Sequence, residues 1–150
     1  MLFPSVEWFS ALGQAVNSDA ERFRRLGTVD IALVAKIDYP AASRYFEIAF
    51  AGYRFLGARE LPRLQAAAPG AVVLEGPFET WREMVENIQA NGKADLAHTL
   101  NTLTLYDTPM RVDAANQLDT DLFYRYQQNL QEFFDSAGKF PTEVAAAEAR

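Results

Sequence analysis

The sequence predicts a mixed α/β fold in which helices pack on a β-sheet, and three observations lead to this prediction. Apolar residues recur at helical spacing near both ends of the chain and again between residues 78 and 92. Two runs between residues 28 and 52 alternate apolar and polar residues, which is typical of half-buried strands. The chain has 150 residues, of which 49% are hydrophobic, and no cysteine, so one domain can bury a core without disulfides.

The N-terminal third predicts a helical pair followed by a hairpin. A first helix opens the chain, and Ser18 and Glu21 are spaced as a capping box for a second, short helix that ends at Gly27. Residues 28–37 and the run that ends near Gly52 then predict two strands. The turn-like sequence DYPAAS joins them, so we expect a hairpin.

The middle of the chain predicts a strand that runs directly into a helix. Glycines and prolines interrupt every period in residues 53–70, which predicts a loop with one helical turn. Residues 71–76 predict a short buried strand, and Pro77 and Gly92 mark the start and the end of the following helix. Its apolar side chains share one arc and should face the sheet: Phe78, Trp81, Met84, Val85 and Ile88.

The last third predicts further helix, one short strand and a tail. Leucines at helical spacing favour one helix over residues 93–103, and residues 108–114 predict a final short strand. Asp119 is placed to cap the closing helix. We expect one domain over residues 1–138, followed by a disordered Ala/Glu tail over residues 139–150.

Residues 121–138 predict a strongly amphipathic closing helix. At about 100° per residue, its apolar side chains share an arc of roughly 120°. The arc contains Leu122, Phe123, Tyr126, Leu130, Phe133, Phe134 and Ala137, and the residues outside it include Gln127, Asn129 and Gln131. Such a stripe is more often ordinary core than the wall of a ligand cavity, so the helix alone favours the core interpretation.

Charge and composition exclude several functional classes. The net charge of -6 leaves no basic surface for phosphates, so we expect no nucleic-acid partner. The apolar runs are shorter than the roughly 18 residues that span a bilayer. The N-terminal sequence MLFPSVEWFSALG lacks the basic region of a signal peptide. We therefore expect no integral membrane segment and a cytoplasmic location.

The sequence contains no constellation that predicts catalysis, a cofactor or a metal site. His98 is the only histidine, there is no G-x-S-x-G nucleophile motif, and no glycine-rich phosphate loop occurs. One histidine and scattered carboxylates give no metal-ligand spacing. We therefore expect a non-catalytic protein with no cofactor, and a catalytic alternative would have to use His98.

Several stretches resemble the SCP2-like family of sterol and lipid carrier domains. Trp8 lies in an opening helix, and VDIALVAKI followed by YFEIAFAG is similar to the family's first strand and to its strand that ends in a glycine. AVVLEGPFETWREMV resembles the family's strand that runs into a helix. The closing helix carries a double aromatic, Phe133 and Phe134, and the resemblance covers about residues 5–137.

The resemblance implies a mostly antiparallel five-stranded sheet covered by helices, with an apolar tunnel inside. Such a tunnel holds a sterol or steroid, a fatty acid or an acyl-CoA. The implied wall comes from one strand, the middle helix and the closing helix. Its residues are Phe46, Phe50, Trp81, Met84, Val85, Ile88, Phe123, Tyr126, Leu130, Phe133 and Phe134.

Three arginines in residues 53–70 are candidates for contact with a ligand head group. Arg54, Arg59 and Arg63 would lie at the tunnel mouth, where a guanidinium can pair with a carboxylate or a phosphate. The alternative is a solvated loop in which arginines serve solubility, and the sequence favours this alternative.

Three functional hypotheses follow from these observations. The first is a non-catalytic carrier that binds and transfers an apolar ligand. The second is an accessory or oligomerisation module whose aromatic helix packs on a partner, as a homodimer or with a partner enzyme. The third is a small lipid-modifying enzyme that uses His98. The sequence alone does not separate the first two.

Overall fold

The computed structural model describes residues 1–105 and 107–146, which form a five-stranded sheet with helices on one face. The strands are β1 Leu2–Phe3, β2 Ile31–Asp38, β3 Ser43–Ala51, β4 Arg54–Leu61, β5 Val72–Pro77, β6 Arg111–Asp113 and β7 Glu143–Val144. The helices are α1 Val6–Ser18, α2 Ala20–Arg25, α3 Phe78–Asn91, α4 Leu100–Leu103, α5 Gln117–Arg125 and α6 Gln127–Asp135. Within the described residues, every helix is too short or too polar to cross a membrane.

The main sheet has the strand order β4-β3-β2-β5-β6. β2 and β5 run parallel, whereas the other neighbouring strands are antiparallel. The predicted α/β fold with a mostly antiparallel five-stranded sheet is therefore confirmed, and β2 and β3 form the predicted hairpin. The parallel pair arises because the chain crosses from the β4 edge to the far side of β2 before it forms β5.

Different parts of the chain cover the two faces of the sheet. Side chains alternate along a strand, so Leu33 and Ile48 point to the face under the helices and are fully buried in the main core. Val34 and Val73 point to the opposite face, where they form a smaller cluster with Leu61. Residues of the β4–β5 connection pack against this cluster. The main core therefore lies between the first face and the helices.

The loop predicted for residues 53–70 is wrong for its first half, because Arg54–Leu61 form the edge strand β4. The pairing of β4 with β3 skips Leu56, which bulges outward with 59% of its surface exposed. A bulge breaks the alternation by which a strand is recognised in a sequence. The predicted helical turn is a 3-10 turn at Leu64–Ala66.

Two predicted helix starts are also wrong. The capping box of Ser18 and Glu21 does not form, because α1 extends through Ser18 and α2 begins at Ala20 without a side-chain cap. The cap of α5 is Asn116, whose Oδ1 accepts a hydrogen bond from the backbone N–H of Asp119 at 2.9 Å. Asp119 is therefore the capped residue and not the cap.

The middle of the chain follows the prediction as far as the end of α3. β5 leads into α3 at Pro77, and α3 ends at Gly92, whose φ of 81° is the left-handed conformation that favours glycine. The continuous helix predicted within residues 93–103 is wrong, because Asp95 and Thr99 each cap a separate short turn. The predicted final strand is β6, with three residues.

The predicted single closing helix is divided into α5 and α6 at Tyr126. Tyr126 has φ -100° and ψ 16°, outside the helical range, although its N–H still donates to the carbonyl oxygen of Leu122. The bend lets α5 lie against β5 and β6 while α6 packs against α1 and α4. The predicted apolar arc is confirmed, since its members are buried or partly buried in the main core.

The two ends of the described chain lie together. β7 pairs in parallel with β1, and Trp8 Nε1 donates to Thr142 Oγ1 at 3.0 Å. The disordered tail expected from residue 139 onward is thus paired as far as Ala145, whose N–H donates to the carbonyl oxygen of Phe3. Residues 147–150 of the expected tail lie outside the described residues.

Replacing Gly138 with alanine should destabilise the fold by about 1–3 kcal/mol, as overpacking does. An added Cβ would lie 2.7 Å from the carbonyl oxygen of Gly92, and backbone atoms cannot turn aside as the end of a side chain can. Gly57→Ala is the matched control, because a Cβ there meets no atom within 4 Å. Urea unfolding should give a lower midpoint for Gly138→Ala alone. Equal midpoints in all three proteins would contradict the tight contact.

Candidate functional site

The residues implied for a ligand wall all lie in the main core. β3 and α3 supply the first six, and α5, α6 and the bend between them supply the others. They are Phe46, Phe50, Trp81, Met84, Val85, Ile88, Phe123, Tyr126, Leu130, Phe133 and Phe134. All except Tyr126 are buried, and Tyr126 is partly buried against the same core.

Five aromatic rings form a continuous row through this core, from the edge of the sheet to α3. The centroid of Phe133 lies 5.3 Å from that of Phe50, 6.0 Å from that of Phe55 and 5.2 Å from that of Phe134. The centroid of Phe134 lies 5.9 Å from that of Trp81. The rings touch one another, so the protein's own side chains fill the interior along this aromatic row.

The ends of the aromatic row are fixed by specific contacts. Trp81 Nε1 donates to the carbonyl oxygen of Lys36 at 3.2 Å, which fixes the indole against β2. The other end is Phe55, which lies so close to α1 that a Cβ at Gly13 would clash with its ring. The amide of Asn17 also pairs with the N–H and the carbonyl oxygen of Phe55. Sequence reasoning missed Phe55 because the bulge hides β4.

The two closing helices differ in how firmly they are held. α6 buries Leu130, Phe133 and Phe134 and is also held by polar contacts, of which the Arg22–Glu132 ion pair at 2.7 Å is one. In α5 only Phe123 is buried, whereas Leu118 and Tyr124 on the same helix are 79% and 44% exposed. The helix α5 is therefore the more easily displaced cover of the core.

The alternative of an oligomerisation module requires an aromatic stripe that is free to pack on another subunit. Phe123, Phe133 and Phe134 are instead fully buried inside their own chain. The described closing helices therefore present no such stripe to a partner.

The three candidate arginines have different surroundings. Arg54 lines a surface cleft of about 590 Å³ between α2 and the β3–β4 turn. In the same cleft, the guanidinium of Arg24 lies 4.7 Å from the ring centroid of Tyr53. Arg59 is bound to Glu47, and Arg63 is exposed next to the 3-10 turn. Arg54 is therefore the one candidate arginine of the three that lines this cleft.

The partner of Arg59 is a buried carboxylate. Glu47 Oε1 accepts from Arg59 Nε at 2.7 Å, and Oε2 accepts from the N–H of Ala68 at 2.6 Å. Burial acts to raise the pKa of Glu47, but these hydrogen bonds and the charge of Arg59 outweigh it and hold the pKa below its usual value. This pair fastens the β4–β5 connection to the sheet, so Arg59 has a structural partner.

His98 has a carboxylate partner but no nucleophile beside it in the described hydrogen-bond network. Its Nδ1 lies 2.6 Å from Oδ1 of Asp95, which also accepts from the N–H of His98. The hydroxyls of Thr99 and Thr102 bond to each other and to the carbonyl oxygen of Leu96. Over the described residues, no three histidine or carboxylate side chains cluster as a metal site would require.

The mixed five-stranded sheet with helices and an aromatic core on one face is an α/β domain, and solved structures with the SCP2-like fold match it. A crystal structure of sterol carrier protein 2 matches it with a TM-score of 0.62 and 16% identity, over 91% of this chain and 98% of that chain. A conserved hypothetical protein from Thermus thermophilus, described as a possible sterol carrier protein, matches with a TM-score of 0.60 and 14% identity. That solution structure covers 90% of this chain, with 87% of its own chain aligned. No protein-family model and no curated protein matches the sequence.

Replacing Glu47 with glutamine should lower the free energy of unfolding at neutral pH by about 1–3 kcal/mol, because Arg59 loses its charged acceptor. The pKa of Glu47 is lower in the folded state than its usual value of 4.5, so the ionised carboxylate stabilises the fold at pH values above 4.5. This stabilisation is lost as the pH falls through the folded-state pKa, because the carboxylate then becomes protonated. The difference between wild type and Glu47→Gln should therefore shrink below that pH in denaturant titrations.

Glu83 is exposed, so Glu83→Gln is the matched control and should unfold at the same denaturant concentration as wild type at neutral pH. A difference between wild type and Glu47→Gln that stays constant into acid would show that the charge of Glu47 contributes nothing.

Proposed function

We propose that the chain binds an apolar ligand, such as a sterol, a fatty acid or an acyl-CoA, and carries it without chemical conversion. The observation that supports this most is the aromatic row of Phe50, Phe55, Phe133, Phe134 and Trp81, which lies in the same core that the weakly held helix α5 helps to cover. The SCP2-like fold supports the same proposal, because one structure that shares it is a sterol carrier protein. The eleven wall residues given above would surround the ligand.

In this proposal the ligand enters by displacing α5. The helix holds to the core mainly through Phe123, and removing one phenylalanine from its buried site costs about 1.5–3 kcal/mol. The rings of the aromatic row then exchange contacts with each other for contacts with the ligand. The flexible side chain of Met84 on α3 can follow the shape of the ligand.

The affinity expected for such a ligand is moderate. Burial of roughly 400 Å² of apolar ligand surface at about 25 cal/mol per Å² gives about 10 kcal/mol before losses. Lost translational freedom, together with displacement of α5, reduces this to micromolar or high nanomolar binding, which permits release.

The head group of an acidic ligand would contact Arg54. This arginine lines the surface cleft beside α2, and Asn17 in the same cleft binds the backbone of Phe55, the outer end of the aromatic row. Arg59 could contact the head group only if its ion pair with Glu47 broke, and Arg63 is the third candidate for this contact. We further propose that the protein works in the cytoplasm without a cofactor. It would deliver its ligand to a partner enzyme.

A brominated fatty acid should quench the fluorescence of Trp81 and leave that of Trp8 unchanged. Trp81 is in the aromatic row, whereas Trp8 packs against Phe3 and Phe9 and donates to Thr142. Each tryptophan can be observed alone, in Trp8→Phe and in Trp81→Phe. Addition of 9,10-dibromostearic acid to delipidated protein should give saturable quenching in Trp8→Phe only, because bromine quenches at short range.

Unbrominated stearic acid serves as the control for indirect effects, and circular dichroism checks that both variants fold. Absence of saturable quenching, or equal quenching of both tryptophans, would contradict a ligand in the proposed position.

A further inference from the structure

A polar group in α6 lacks a partner. Gln127 is the first residue of α6, and its amide nitrogen Nε2 is shielded from solvent without a hydrogen-bond partner among the described residues. A buried donor left unpaired destabilises a fold, because it has given up its hydrogen bonds to water without a replacement. Folded proteins pair the large majority of such groups, so this exception calls for a physical reason.

Two other amide side chains of α6 have hydrogen-bond partners. Asn129 Nδ2 donates to the carbonyl oxygen of Gly27 at 3.1 Å, although the sequence places Asn129 outside the apolar arc. Gln131 Oε1 accepts from the N–H of Leu100 at 2.8 Å, and its Nε2 donates to Asp135 Oδ1 at 2.9 Å. The unpaired donor of Gln127 is therefore a local feature and not the result of a loosely packed helix.

Helix geometry places Gln127 on the inward side of α6. Residues three, four and seven positions along a helix share a face with the first, and for Gln127 these are Leu130, Gln131 and Phe134. Leu130 and Phe134 are fully buried, and the Phe134 ring contacts Trp81 on α3. Gln127 also directly follows the bend at Tyr126, where α5 would separate from α6 as the ligand enters.

We propose that Gln127 Nε2 donates a hydrogen bond to an oxygen atom of the bound ligand. This inference rests on the function proposed above and narrows it to apolar molecules that carry an acceptor oxygen, as a hydroxyl, a carbonyl or a carboxylate. The ligand oxygen supplies the partner that the free chain lacks. A plain hydrocarbon of the same shape would leave the donor unpaired and would bind less tightly.

The first experiment uses the ligand-free protein. Gln127→Met keeps the length of the side chain and removes the unpaired donor, so its melting temperature should equal or exceed that of wild type. Gln131→Met is the matched control, because it breaks two hydrogen bonds, and its melting temperature should fall by about 4–8 °C. A similar fall in Gln127→Met would overturn the inference, since the amide would then have a partner in the free chain.

The second experiment compares ligands that differ by one oxygen. Hexadecane, 1-hexadecanol and hexadecanoic acid each compete with cis-parinaric acid for wild type and for Gln127→Met. Wild type should prefer the two oxygen-bearing compounds, and Gln127→Met should lose about tenfold of that preference, equivalent to about 1.4 kcal/mol. The alcohol and acid arms distinguish a hydroxyl ligand from a carboxylate ligand.

The possible failures are distinguishable. Binding of all three compounds with the same preference in both proteins would overturn the role of Gln127 and leave the proposed function intact. Absence of binding by wild type would overturn both.

Discussion

The packing of Phe133 against the inner face of the sheet is the contact on which the remaining structure depends. Its ring touches Phe50 on β3, Phe55 on β4 and Phe134 on its own helix, so one side chain joins two strands to α6. Full burial of each such ring stabilises the fold by about 1.5–3 kcal/mol. Gly13 serves the same contact, because α1 must approach β4 closely to cover Phe55 from the other side.

The sequence was sufficient to predict a strand or a helix wherever the apolar residues of that element follow one regular pattern. Alternation identified β2 and β3, and helical spacing identified the buried sides of α3 and of the closing helices, because these patterns need no knowledge of the neighbours. Prediction from the sequence pattern failed where a residue far away in the chain determines the local structure. The β4 bulge at Leu56 follows from pairing with β3, and Asn17 holds the backbone of Phe55 across 38 positions.

The polar residues of the site were harder to place than the apolar ones for a related reason. Arg59 was a candidate for a ligand head group, but its position opposite Glu47 depends on the register of β3 and β4. Asn129 and Gln127 lie just outside the predicted apolar arc, yet Asn129 is buried and the amide nitrogen of Gln127 is shielded from solvent. A rotation angle per residue does not show whether a polar side chain at the border of the arc turns inward.

The contrast between α5 and α6 gives the proposed carrier a fixed part and a movable part. α6 is held by buried rings together with the contacts of Asn129, Gln131 and Glu132, so its displacement would break apolar and polar contacts at once. Displacement of α5 exposes chiefly Phe123. In the proposed carrier, a ligand that covers Phe123 would restore most of the lost burial and would keep the free energies of the closed and the loaded states close. Two states of similar free energy allow a carrier both to bind its cargo and to release it.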